Sequence, residues 1–167
     1  WEVQVLASEW YVHHIKARYA ETDQMGVIYH ANYLTWFEIG RTEWIRQKGI
    51  RYQELEKKGL RLPVTDLQVK YVQPAKYDDI VTIYTRLAEW SSIRAAFEVE
   101  IRRLPSDQAV NFDLVKQCGQ AAEPEGELLV SGKTRHAWLG PGWKPVRLER
   151  EYPELYDRLA HGGQAGN

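Results

Sequence analysis

From about His30 to Lys48 the chain carries a run whose only stable form is a helix covered on more than one side. Leu34, Phe37, Arg41, Ile45 and Lys48 recur at steps of three and four residues, and Tyr33, Trp36, Trp44 and Gly40 widen the stripe. The first three turns are rich in large apolar residues, so a single flat neighbour would leave part of that surface in water. "KGI" at 48–50 supplies a basic last turn and a stop glycine. Gly40 costs about 1 kcal/mol against alanine inside a helix. Its use here predicts a close approach by another backbone. A shorter helix is expected over 51–58, ending at Gly59.

What surrounds that helix is strand-like. "YVHHIKARY" (11–19) alternates before it, and 20–29 reads as a loop. After it come four runs, at 62–72, 79–90, 93–104 and 127–139. No second helical pattern separates them, so βαβ crossovers cannot build the sheet and the strands must run mainly antiparallel. The fold class is α+β: five antiparallel strands curled around one long helix. "EWSSI" (89–93) makes a short hairpin turn. Residues 105–126 exceed an ordinary hairpin loop and form either a free loop or an excursion in two pieces. A short exposed helix is expected at 149–160, with 161–167 a disordered tail, so one domain spans 1–160.

Composition narrows the partners. A formal net charge of -1 gives no electrostatic reason to expect nucleic acid. No apolar run approaches the roughly 20 residues that span a bilayer, and no integral membrane association is expected. Cys118 is the only cysteine, which rules out an intrachain disulfide and fits a reducing cytoplasm. His13 and His14 are neighbours on a strand and point to opposite faces, so they cannot chelate one metal together. No metal and no cofactor are expected. The sequence also lacks a GxSxG elbow, a phosphate-binding GxxxxGK[ST] loop and a dinucleotide glycine fingerprint.

The chemistry concentrates in "ETDQMGVIYHANYL" (21–34). Asp23 reads either as a turn aspartate or as a reactive carboxylate. Three features favour the second reading. Gly26 lets the backbone approach a ligand closely. The helix opening at Tyr29-His30 has no obvious side-chain cap, unless Asn32 serves, so its first amides are free to hold a ligand oxygen. An acid beside such donors can act as nucleophile or general base on a carbonyl that they polarise. His30 offers either its ring or its backbone N–H, and the backbone role is the better match. Glu38 is either a solvated helix residue, paired with Arg41, or a pocket residue two turns from His30.

These residues carry a resemblance. "RYAETDQMGVIYHANYLTWFEIGRTEWIRQKG" (18–49) closely resembles the signature of the 4-hydroxybenzoyl-CoA thioesterase-like branch of hotdog-fold acyl-CoA thioesterases, and within it the Tol–Pal-cluster-associated bacterial type. The pattern D-x-x-G-[VI]-[VI]-Y-[HP]-x-[NS]-Y is complete at 23–33, and "KYVQPAKYDDIVTI" (70–83) and "SGKTRHAWL" (131–139) extend the likeness. The resemblance implies a hotdog fold whose protomers pair edge to edge into a homodimer or homotetramer, with active sites at the dimer interface. It implies hydrolysis of short-chain or aromatic acyl-CoA, coenzyme A being part of the substrate. The alternatives for this chain are a thioesterase acting on acyl carrier protein and a non-catalytic acyl-CoA-binding hotdog protein. By the resemblance Asp23 is the catalytic acid and the His30 N–H polarises the thioester carbonyl. Gly26, Tyr29, Tyr33, Trp36 and Glu38 fall on substrate-binding positions, and pantetheine contacts run along 64–72. Two departures stand out. The 105–126 segment is longer than usual for the family, and "WSSI" (90–93) lacks the basic residues that some relatives use to hold nucleotide phosphates, a task left to Arg94 or a partner subunit.

Overall fold

The computed structural model describes residues 4–5, 9–113 and 118–161. A two-residue strand, β1 (Gln4–Val5), precedes β2 (Trp10–Lys16), a 3-10 turn at Tyr19–Glu21, and the long helix α1 (Asn32–Gln47). Helix α2 (Tyr52–Lys57) leads into β3 (Val64–Tyr71), β4 (Ile80–Trp90) and β5 (Arg94–Arg103). After one helical turn, α3 (Ser106–Ala109), come β6 (Gly119–Ala121) and β7 (Glu127–Ala137), then helices α4 (Leu148–Glu151) and α5 (Pro153–His161).

All the pairings are antiparallel, in the order β3-β7-β5-β4-β2-β6, with β1 also on β4. The sheet thus has seven strands rather than the expected five. The two additions are short: β1 covers the end of β4 at Glu89 and Trp90, and β6 extends the edge at β2. Neither is long enough to show an alternating pattern. β6 belongs to the 105–126 segment, which is therefore an excursion in two pieces. It returns over the face of the sheet away from α1, where Trp10, Val12 and Tyr84 are buried and the Tyr84 hydroxyl bonds to the Glu125 backbone. Central strand β4 is covered on both faces and is buried along nearly its whole length.

Helix α1 lies against the other face. Its first half packs Tyr33, Trp36 and Phe37 on Val81, Ile83, Val99 and Ile101. Its second half packs Trp44 and Ile45 on Phe97, Trp90 and Trp138. Gly40 does answer a close approach, but from side chains rather than backbone. A Cβ there would sit 2.3 Å from Thr85 Oγ1 and 2.7 Å from Ile83 Cγ2. Gly132 on β7 makes the matching gap for the Phe37 ring. The two glycines set how near the helix lies to the sheet.

The C-terminal helices expose one side, with Glu149, Arg150, Glu154 and Asp157 in solvent, and dock the other on the core. Leu148, Leu155 and Leu159 join the core around Trp44, Ile45 and Trp138, and the Arg158 guanidinium donates to the Gly49 carbonyl just after α1. Leu155 and Leu159, four residues apart, form the inward face of α5 and, with Leu148 of α4, seal the open end of the core below α1. Each such leucine contributes about 1.5–3 kcal/mol of burial. His161 ends α5; the rest of the expected tail, 162–167, lies outside the described residues. No helix among the described residues is long and apolar enough to cross a membrane.

Candidate active site

The loop between β2 and α1 is shaped by its own backbone. The Asp23 N–H donates to Val27 O at 2.9 Å and the Gly26 N–H to Asp23 O at 3.0 Å. Gly26 takes φ +78, a left-handed conformation that side chains disfavour. Nothing lies within 4 Å of where its Cβ would be, so the turn itself requires the glycine. Asp23 sits as a turn aspartate with one carboxylate oxygen left over. Its Oδ1 accepts the Met25 N–H at 2.8 Å, as a turn aspartate does. Its Oδ2 has no protein partner among the described residues, and the side chain borders a cleft of about 250 Å³.

That cleft is lined by Asp23, Met25 and Val27 from the loop, His30 and Tyr33 from the start of the helix, and the segment from Tyr71 to Pro74. The helix begins at Asn32 with Ala31 as its N-cap, two residues later than the sequence indicates. Asn32 is not the cap. Its amide donates to Glu21 O at 2.7 Å, and no side chain caps α1. His30 sits in the turn just before, and its backbone N–H has no acceptor among the described residues. An open amide at the positive end of a 16-residue helix is suited to a developing oxyanion. The His30 ring packs against Tyr29 at 4.4 Å between centroids and edge-on to Tyr71 at 6.3 Å. The Tyr71 hydroxyl donates to His30 O at 3.0 Å, which fixes this peptide from the side of the sheet.

The other candidates fall in three places. Tyr33 lies in the cleft wall, and its hydroxyl accepts the Ala75 N–H at 2.9 Å. Burial raises its pKa, so it stays a neutral phenol. Trp36 is fully buried and does not reach the cleft; its indole donates to Glu21 Oε1 at 3.1 Å. Glu38 is exposed one turn further along and also lies outside the cleft. It makes no ion pair with Arg41 among the described residues; Arg41 points inward, nearly buried, with its Nε unpartnered. Met25 is largely exposed at the mouth.

Glu21 is the residue that the sequence did not single out. It is a buried carboxylate that accepts the Arg18 N–H at 2.8 Å, the Arg18 guanidinium at 3.2 Å and the Trp36 indole. Its carbonyl accepts from the Tyr29 N–H and the Asn32 amide. Burial pushes its pKa up, but those donors outweigh burial and hold the carboxyl below the usual range. It ties the acid's loop to the helix start. Its position two residues before Asp23 was the only available signal, because the partners that reveal it are distant in sequence.

A model of the thioesterase-like superfamily matches residues 17–139. YneP of Bacillus subtilis is 31% identical over 143 residues, covering 85% of this chain and 89% of YneP. The acyl-CoA thioesterase YbgC of Haemophilus influenzae is 36% identical over 90 residues, which cover 53% of this chain and 66% of that protein. Among solved structures, the DHNA-CoA thioesterase of Staphylococcus aureus superposes with a TM-score of 0.73 at 35% identity, covering 89% of this chain and 87% of that one.

Proposed function

The chain belongs to the thioesterase-like superfamily, and from that premise we propose how it hydrolyses acyl-CoA thioesters, with Asp23 and the His30 amide as the reacting pair. The observation that carries this reading is one cleft holding a carboxylate with a free oxygen beside an open amide at a helix N-terminus. The thioester carbonyl rests on the His30 N–H, and the α1 dipole favours negative charge on that oxygen. Two routes share the geometry. In one, Asp23 Oδ2 adds to the carbonyl carbon, the C–S bond breaks to release CoA thiolate, and water cleaves the resulting anhydride. In the other, Asp23 takes a proton from a water that adds directly. Both give the free acid and CoA, and the thiolate takes up a proton. No step calls for a cofactor.

The acyl group in this reading is short or aromatic. The cleft is small and walled by Tyr33, Tyr71 and the His30 ring, and a neighbour at 35% identity is a DHNA-CoA thioesterase. Assay of short, medium and aromatic acyl-CoAs tests it directly. Asp23→Asn keeps an oxygen for the Met25 N–H, so the turn survives while the reactive carboxylate is lost. We expect turnover to fall at least ~10²-fold with unchanged circular dichroism. Wild-type turnover in that variant would sink the assignment.

The working unit in this reading is a homodimer. β3 is the longer of the two edge strands of the sheet and is exposed along its length, with Val64, Leu67 and Tyr71 each more than a third exposed. A second copy pairing there would continue the sheet and bring its own chain beside the Tyr71 end of the cleft. Light scattering should give twice the chain mass, and a monomeric mass for the active protein would refute it.

A further inference from the structure

Both loops that line the cleft run directly into a pair of exposed tyrosines. Tyr19, four residues before Asp23, is 76% exposed, and Tyr77, three residues after Pro74, is 58% exposed. Their rings meet edge to face at 5.7 Å and 89°. Neither hydroxyl has a protein partner among the described residues, and neither ring belongs to a core cluster. Large aromatic surface left in water at one spot marks a contact site more often than a packing accident.

The platform beneath them is fixed. The Ala17 N–H donates to Asp79 O at 2.9 Å and the Asp78 N–H to Ala17 O at 3.0 Å, zipping the two segments together. The Arg103 guanidinium pins the second segment through Asp79 Oδ2 at 3.0 Å and through the Pro74 carbonyl. The surroundings are mixed in sign but leave cations free. Lys16 is paired with Asp78 at 2.9 Å. The Arg18 side chain is 74% exposed although one nitrogen reaches Glu21, and Lys76 is exposed with its ammonium in no ion pair among the described residues. By chain length alone, Tyr77 lies within about 11 Å of Pro74 at the cleft rim. A pantetheine arm covers that distance.

We propose that the Tyr19–Tyr77 corner, flanked by Arg18 and Lys76, holds the adenine nucleotide end of the CoA substrate. This rests on the reading of the chain as an acyl-CoA thioesterase. Two rings at right angles form an open corner: the base stacks flat on one ring and meets the other edge-on. Arg18 and Lys76 supply donors for the phosphates. The assignment also explains how the chain manages without basic residues in the 90–93 turn, where the Ser91 hydroxyl instead accepts the Arg94 N–H at 3.1 Å to close the hairpin.

The test compares one acyl group carried on CoA and on N-acetylcysteamine, which lacks the nucleotide. Tyr77→Ala and Tyr19→Ala should each raise KM for acyl-CoA about tenfold, the range of one base-stacking contact. Lys76→Ala should raise it less. kcat, and kcat/KM for the N-acetylcysteamine thioester, should stay at wild-type values, and Tyr77→Phe should restore the CoA KM. Equal loss on both thioesters, or no change on either, would overturn the proposal. So would an effect confined to acyl carrier protein substrates, or one seen only in Arg94→Ala. Calorimetry with CoA alone keeps the inference separate from the proposed activity. If wild type hydrolyses nothing, the activity reading fails, yet weaker CoA binding by Tyr77→Ala still supports this site and unchanged binding still rejects it.

Discussion

The indole of Trp36 donates to the carboxylate of Glu21 across 15 residues of chain, with both side chains buried. This bond joins the second turn of the long helix to the loop that carries Asp23. It gives Trp36 a role behind the cleft rather than in it. It also makes Glu21 the residue whose loss should move Asp23, the proposed reacting acid, without touching substrate.

Glu21→Ala should therefore weaken both the fold and turnover. The variant leaves a buried indole N–H without an acceptor, which costs about 1–3 kcal/mol. Denaturant unfolding should show that loss, and kcat should fall more than KM rises. Because the folded carboxyl titrates below its unfolded value, its stabilisation is present above the unfolded pKa and is lost as pH falls through the folded one. Glu21→Gln should flatten that acid limb of the stability curve; an acid limb identical to wild type would show that Glu21 carries none of it.

His30→Ala should keep activity within about tenfold of wild type, since the alanine retains the backbone N–H that the proposed chemistry uses. The ring's contacts with Tyr29 and Tyr71 are packing contacts, so a modest drop in thermal midpoint is expected. Complete loss of turnover with the fold intact would assign the chemistry to the imidazole instead.

Gly40→Ala should destabilise despite alanine's better helix propensity. The gain is about 1 kcal/mol. The new methyl group meets Thr85 and Ile83 at 2.3 and 2.7 Å, and overpacking of a closed core costs about 1–3 kcal/mol. Thermal melts should show a lower midpoint, partly recovered in Gly40→Ala/Thr85→Ala. A midpoint raised by Gly40→Ala alone would mean that the helix can shift away from the sheet.

His136 gives a second pH dependence in a higher window. It is fully buried, bonded to Thr134 Oγ1 at 2.8 Å and to Leu62 O at 3.2 Å. Burial, helped by the charge of Arg41, pushes its pKa down to about 4. The unfolded imidazole binds a proton near pH 6.5 and the folded one does not, so stability should decline as pH falls from about 6.5 towards 4. Urea midpoints at pH 7, 6, 5 and 4.5 measure it. His136→Gln should lose stability at pH 7 and show a shallower decline.

The order of elements was legible in the residues because both periods are local. The alternation in 93–104 and the three- and four-residue steps after His30 are each written within about a dozen residues. The hydrophobic demand of the helix further required a sheet that wraps it. The short strands β1 and β6 were beyond that reading, since two or three residues carry no period. The docking of 148–161 was missed for another reason: its apolar face is ordinary until a sheet with an open end exists to receive it.

The site divides in the same way. The sequence by itself determined the tight turn at Asp23–Gly26 and an uncapped helix start, because turn and cap chemistry depend on neighbours along the chain. Only the tertiary structure decided which side chains share the cleft. It brought in Tyr71, 41 residues from His30 along the chain, and made Glu21 a strut rather than a surface acid. It also turned Trp36 inward and left Glu38 in solvent. Those assignments depend on where the curved sheet comes closest to the helix, a distance set by Gly40 and Gly132.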